Sequence, residues 1–298
     1  MNDAEHNLSD YGIYIALVLL VVIWGSNFAL IKLALDEFSV LTFTLFRYSV
    51  ASVLVLSFLF FREGWRKIDL PDLFQIVLLG LLGHTVYQLA FMKGLSLTTA
   101  GNSSIFIATV PIWSAVLSSL FGKDRLSRTA WFGIIFAFSG SLLVIFGSTQ
   151  RVALNGSHDL GNLLVLLAAI LLSIYTVFSR DLLEKYSPLR FTALTMTAGL
   201  VGLWIFGGPT VLREGWNAIS WHGWGILLYS AVLAMALGYV VWFFGIKKIG
   251  PARTAIFDNL TPVVAFLVAF ILLGEQIVWL QVAGGAAVIS GVYLTLRH

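Results

Sequence analysis

Residues 255–264 read AIFDNLTPVV, and residues 104–113 read SIFIATVPIW. Ile, Phe and Pro fall at the same spacing in both stretches, 151 positions apart. Only the later stretch carries an acid, Asp258, with Asn259 beside it. Both lie inside runs that are otherwise apolar. Reading them requires knowing what kind of protein holds such runs, and then why the pattern occurs twice.

The chain of 298 residues is 59% hydrophobic and only 11% charged. Soluble domains carry about 25% charged residues, so a soluble fold of this length would lack polar surface to cover itself. Residues 12–31, 73–92, 94–122, 129–150, 160–179, 191–212, 215–246 and 276–296 contain no Asp, Glu, Lys or Arg. Two further runs, 40–61 and 254–274, hold one charge each, Arg47 and Asp258. About 20 apolar residues cross a bilayer as a helix. The alternation of β-barrel strands, over about 10 residues, is absent. The chain therefore reads as an all-α polytopic membrane protein with ten transmembrane helices. Its leader MNDAEHNLSD has no basic residue and the first apolar run is too long for a signal-peptide core, so that run is expected to be retained. There is no cysteine from which to read a redox compartment.

The basic residues cluster at helix ends, which explains the net charge of +3 by orientation rather than by nucleic-acid binding. With the N-terminus inside, the inner loops and C-terminus hold Arg62, Arg66, Lys67, Lys123, Arg125, Arg128, Arg180, Lys185, Arg190, Lys247, Lys248, Arg253 and Arg297. The outer loops hold Lys32, Lys93, Arg151 and Arg213. The positive-inside rule then places both termini in the cytoplasm, in the cell (inner) membrane.

A shift of 151 pairs Gly94 with Gly245, Ile105 with Ile256, Phe106 with Phe257, Pro111 with Pro262, Asp124 with Glu275, Gly133 with Gly284 and Gly140 with Gly291. A shift of 148 pairs Lys32 with Arg180, Ser39 with Ser187 and Phe43 with Phe191. This is a duplication of five helices, 1–151 and 152–298. Five is odd, so the second copy enters from the opposite side and lies inverted. Inverted repeats characterise secondary transporters, whose two like halves tilt about a shared midplane site.

Trp24-Gly25-Ser26-Asn27-Phe28, Pro111 and Pro262, Gly274-Glu275, and the Gly284…Gly291 spacing resemble the EamA domain of the drug/metabolite transporter superfamily. The resemblance covers essentially the whole chain as two such units. The first unit departs from the pattern, with Gly122-Lys123-Asp124 where Gly-Glu is usual, which weakens any role for Glu275 beyond a loop cap or interface anchor. The resemblance implies export of amino acids, other metabolites or drugs, and looks strongest toward YddG-type exporters of aromatic and other neutral amino acids. It implies a small-molecule substrate, no cofactor, no enzyme activity, and a monomer or weak dimer in the bilayer.

Candidate site residues follow from depth and face. His84 lies about 16 Å into helix 3, with Tyr87 and Gln88 on the same face. Such a polar face lines a wet cavity or ties the helix to a neighbour, since facing lipid is costly. Trp24 and Asn27 share a face of helix 1 and either wall the cavity or fill space. Tyr239 and Trp242 are the repeat partners of Gln88 and Phe91, and Tyr175 is the partner of Asn27. Arg47 either holds a substrate carboxylate or pairs with Asp36 or Glu37. Asp258 reads as a charge near the helix 9 N-terminus, where the dipole and Arg253, Lys247 and Lys248 favour it. Pro111 and Pro262 remove backbone hydrogen bonds and permit bends, as hinges or as static kinks. No metal-ligand spacing, nucleotide loop or catalytic nucleophile constellation appears. A cationic-drug/proton antiporter would need an acid like that in helix 1 of the small multidrug exporters, and none lies between Gly12 and Leu35. With no relay carboxylate expected, facilitated diffusion is the anticipated mode; a membrane receptor is the non-transporting alternative.

Overall fold

The structure is a computed structural model and describes residues 2–98, 100–147, 159–212, 219–264, 267 and 278–297. Among the described residues the regular structure is entirely helical. In chain order the helices are α1 (Asn2–Ala34), α2 (Val40–Glu63), α3 (Leu70–Leu97), α4 (Ala100–Ile107 and Val110–Leu120), α5 (Arg128–Gly147), α6 (Asp159–Lys185), α7 (Pro188–Val211), α8 (Trp221–Ile249), α9 (beginning Pro251–Ala255 and Ile256–Leu260) and α10 (Trp279–Arg297). The ten-helix expectation holds, as two inverted five-helix repeats. Gly274-Glu275, singled out above, lies outside the described residues. Lys93, expected in a loop, falls inside α3, four residues before its end at Leu97, where it is exposed; its aliphatic stem lets the ammonium reach the surface while the helix continues.

The duplication recurs in the local backbone. Ser39 caps α2 by accepting the Thr42 N–H at 3.2 Å, and its repeat partner Ser187 accepts the Arg190 N–H at 3.1 Å at the start of α7. α3 winds as a π-helix over Leu81–Val86, and α8 does so over Ser230–Leu237; the shift of 151 superimposes the two. α4 is interrupted at Ala108 and Thr109, just before Pro111, and α9 tightens to a 3₁₀ turn over Ile256–Leu260, just before Pro262. Each proline lacks the N–H that would close a bond to the carbonyl four residues back, so both helices break at the same repeat position.

The two halves meet most closely where α5 packs on α10. A Cβ on Gly140 would sit 2.7 Å from the Gly284 carbonyl oxygen, and one on Gly284 would sit 2.7 Å from that of Gly140. Gly133 and Gly291 stand in the same reciprocal relation. Absent side chains let the backbones touch, which in a bilayer replaces the hydrophobic drive that lipid removes. Outward faces carry large apolar side chains such as Phe58, Phe60, Ile135, Phe146 and Ile205, all exposed as a lipid-facing surface requires.

One end of the bundle is fastened by charge. Among the described residues the ion pairs are Glu63–Arg190 (3.2 Å), Asp72–Lys185 (2.8 Å), Lys123–Asp181 (2.5 Å) and Asp124–Arg180 (2.6 Å). Each joins the first half to the second, and each lies on the side assigned to the cytoplasm. Asp124 also accepts the Ala252 N–H at 3.0 Å, tying the start of α9 into the same knot. Gly250 turns the chain into α9 at φ +88°, where a side chain would strike both Asp124 and Arg180. Burial pushes the Asp124 carboxyl above its ordinary value, against the pull of Ala252 and Arg180. At the opposite end Glu37 accepts the Ser220 N–H (2.6 Å) and hydroxyl (2.8 Å), which holds its carboxyl below the usual range.

Candidate functional site

A cavity of about 100 Å³ lies between the halves, lined from α1, α2, α3, α4, α6, α8 and α9. Of the residues singled out in the sequence, Trp24, Asn27, Arg47, Tyr87, Gln88, Tyr239 and Asp258 line it together. The π-wound segments help to place them. Wider winding in α3 precedes Tyr87 and Gln88, and in α8 it precedes Tyr239. Ala234, inside the α8 segment, accepts the Trp24 indole N–H at 2.8 Å and so fixes α1 against α8. The Trp24 ring then lies 6.3 Å from that of Tyr239 and 5.2 Å from that of Trp242.

His84, Tyr175 and Trp242 are placed differently: they form a layer behind the wall. His84 is fully buried. Glycines explain how its neighbours close on it. Gly83 lies flat against the Tyr175 ring, and Gly199 of α7 against the His84 side chain, so any Cβ at either would collide. The Tyr175 hydroxyl lies 2.8 Å from the Thr195 hydroxyl and 2.8 Å from His84 Nε2, and the Tyr48 hydroxyl lies 3.2 Å from Nδ1. Both nitrogens of the imidazole therefore have a hydroxyl partner. Trp242 is turned away as well, its N–H donating to Thr176 at 3.3 Å.

The two charged candidates depart from the pairings expected of them. Arg47 does not meet Asp36 or Glu37, since Glu37 is engaged by Ser220. It is buried, donates from Nη1 to Ser230 at 3.1 Å, and lies 5.4 Å over the Phe43 ring. The packing of α2 on α8 sets the hydroxyl of the π-wound segment opposite it. Its Nε has no partner among the described residues. Asp258 does not pair with Arg253, Lys247 or Lys248; the 3₁₀ turn points it into the cavity wall, 6% exposed, and it joins none of the ion pairs. The carboxamide oxygens of Asn27 and Gln88 are likewise buried without a partner.

Ile31, Phe91, Ile107, Leu172, Ala234, Met235 and Thr261 complete the lining. Three of these were reachable by symmetry: Phe91 is the repeat partner of Trp242, Ile107 of Asp258, and Met235 of His84. Nothing in their own composition sets the others apart from the rest of an apolar chain. Pro111 and Pro262 lie next to the helix breaks rather than on the cavity surface. Among the described residues no group of three or more His, Cys, Asp or Glu side chains is arranged to hold a metal.

The profile of the EamA-like transporter family matches residues 12–146 and again 159–297. The chain is similar to a Bacillus subtilis (strain 168) protein named "Uncharacterized transporter YyaM", 31% identical over 96% of this chain and 93% of the relative. It is also similar to a "Probable terminal-alkyne amino-acid exporter" of Streptantibioticus cattleyicolor, 32% identical over 95% of this chain and 93% of the relative. A protein of known crystal structure shares the fold at a TM-score of 0.79 and 14% identity, covering 96% of this chain and 99% of its own. The chain belongs to the EamA-like transporter family and is a multi-pass membrane transporter.

Proposed function

We propose that the protein exports neutral amino acids, aromatic ones included, by alternating access through the central cavity, and does so as a facilitator. The observation that carries this reading is the cavity itself. It is walled by helices of both repeats, and the four cross-repeat ion pairs lie at one end of the bundle. An inverted pair of repeats has a second arrangement in which that end opens and the other closes. The breaks before Pro111 and Pro262 are the positions at which α4 and α9 would bend between the two. On this reading the repeats divide between residues 151 and 152, both termini are cytoplasmic in the inner membrane, and the working unit is a monomer or weak dimer. The amino-acid exporter among the relatives supports the substrate class. A volume of about 100 Å³ is below the roughly 150 Å³ of a protein cavity that takes benzene, so an aromatic side chain requires the walls to part.

Asp258 favours a second reading. It stands in the cavity wall, where a carboxylate is able to exchange a proton for substrate. One experiment separates the two. Purified protein in liposomes is given labelled amino acids with and without an imposed pH gradient. A facilitator equilibrates them at the same rate in both, whereas uphill accumulation driven by the gradient replaces the facilitator with an antiporter. Binding without flux would leave a receptor.

A further inference from the structure

We propose that the cavity is a two-point grip for a zwitterionic α-amino acid: Arg47 takes its carboxylate, and Asp258, Asn27 and Gln88 take its ammonium. The inference rests on the reading of the cavity as a transport site, and adds which charges the substrate must carry.

An unpaired charge buried in a membrane protein is costly, and removing a partner from a buried ion is strongly destabilising. Here two opposite charges line one cavity without pairing. Arg47 is 2% exposed, and its Nε finds no partner among the described residues. Asp258 is 6% exposed, with no cation within ion-pair distance among the described residues. They are kept apart by architecture. α2 packs on α7 and α8, whereas the 3₁₀ turn that carries Asp258 packs on α1, α5 and α10. Tyr87 and Tyr239 line the same cavity and each lie within electrostatic reach of both charges.

Arg47 stands seven residues into α2 and Asp258 seven residues beyond the start of α9, two helices that enter the bundle from opposite sides, so the charges reach the cavity from opposite ends. The donor count agrees with an α-amino acid. An ammonium has three N–H groups, and the wall offers the Asp258 carboxylate and the unpartnered oxygens of Asn27 and Gln88. Ile31, Phe91, Leu172 and Met235 provide an apolar surround for the side chain.

The test is competition against labelled L-leucine flux in proteoliposomes. The competitors are unlabelled leucine, isocaproate (no ammonium) and isoamylamine (no carboxylate). Each of the last two leaves a buried charge unmet, and should compete at least about 30-fold more weakly than leucine. Arg47→Gln and Asp258→Asn should each lower leucine flux by a similar factor, with Arg47→Lys intermediate. If isocaproate or isoamylamine competes within threefold of leucine, or if Arg47→Gln transports leucine at the normal rate, the grip is refuted while transport stands. Should either variant fail to fold, the comparison of analogues on the natural protein decides alone. If none of these compounds moves at all, the transport reading falls, and the grip with it.

Discussion

Tyr175→Phe separates the wall of the cavity from the layer behind it. The substitution removes one hydroxyl and no ring, so packing against Gly83, Phe191 and Phe243 persists. Two bonds of 2.8 Å are lost at once, to His84 Nε2 and to Thr195. Thr195 keeps its donation to Phe191, so its loss is small. His84 Nε2 is left buried without its hydroxyl partner, at about 1–3 kcal/mol in a protein interior. Hydrogen bonds in membrane bundles average less, about 0.6 and at most about 1.7 kcal/mol, because the unfolded chain in the membrane also finds partners. The expected cost is therefore about 1–2 kcal/mol, or about 2–6 °C in the thermal midpoint of the detergent-solubilised protein. Leucine KM in proteoliposomes should change less than twofold, because Tyr175 does not face the cavity. Gln88→Leu should do the reverse, raising KM about tenfold with little change in midpoint. An unchanged midpoint for Tyr175→Phe together with a tenfold rise in KM would mean that Tyr175 touches substrate, and its place behind the cavity wall would be wrong.

Gly140→Val should force α5 and α10 apart, since its Cβ meets backbone that cannot rotate away. Overpacking of this kind costs about 3 kcal/mol, and Gly284→Val should match it by symmetry; thermal unfolding that moves by less than 1 °C in both would refute the seam. Arg180→Gln breaks the Asp124 knot and should raise the rate at which a cysteine at Ser118, buried in α4 near the fastened end, is labelled from the cytoplasmic side; an unchanged rate means the pair does not hold that end closed. The Glu37 carboxyl is held below its ordinary 4.5, so its bonds to Ser220 stabilise the fold above that value and are lost as pH falls through the lowered one. Amide exchange at Ser220, corrected for intrinsic rates, should accelerate only on acidification below the ordinary 4.5, and Glu37→Gln should abolish the pH dependence.

Helix number, the duplication and the family were legible in the sequence, and the orientation is an expectation drawn from it, because each is written along one dimension. Runs without charge, a fixed offset between like motifs, and the side on which Lys and Arg accumulate need no knowledge of packing. Spacing also sufficed for Trp24, Asn27, Tyr87, Gln88 and Tyr239, since polar and aromatic groups at mid-depth on one helical face have few places to go. The same logic foresaw breaks at Pro111 and Pro262, where the missing N–H is a property of the residue. What only the tertiary structure decided is what arrives from the other half. His84 shares the face of Tyr87 and Gln88, yet it is sealed off because Gly83 and Gly199 admit Tyr175 and α7 against it. Arg47 and Asp258 each had charged neighbours in sequence, and near-neighbour pairing was the simplest expectation. Glu37 was instead taken by Ser220, and the 3₁₀ turn rotated Asp258 away from the basic end of α8. A buried charge is settled by whichever groups share its dielectric, and those come from helices far away in the chain.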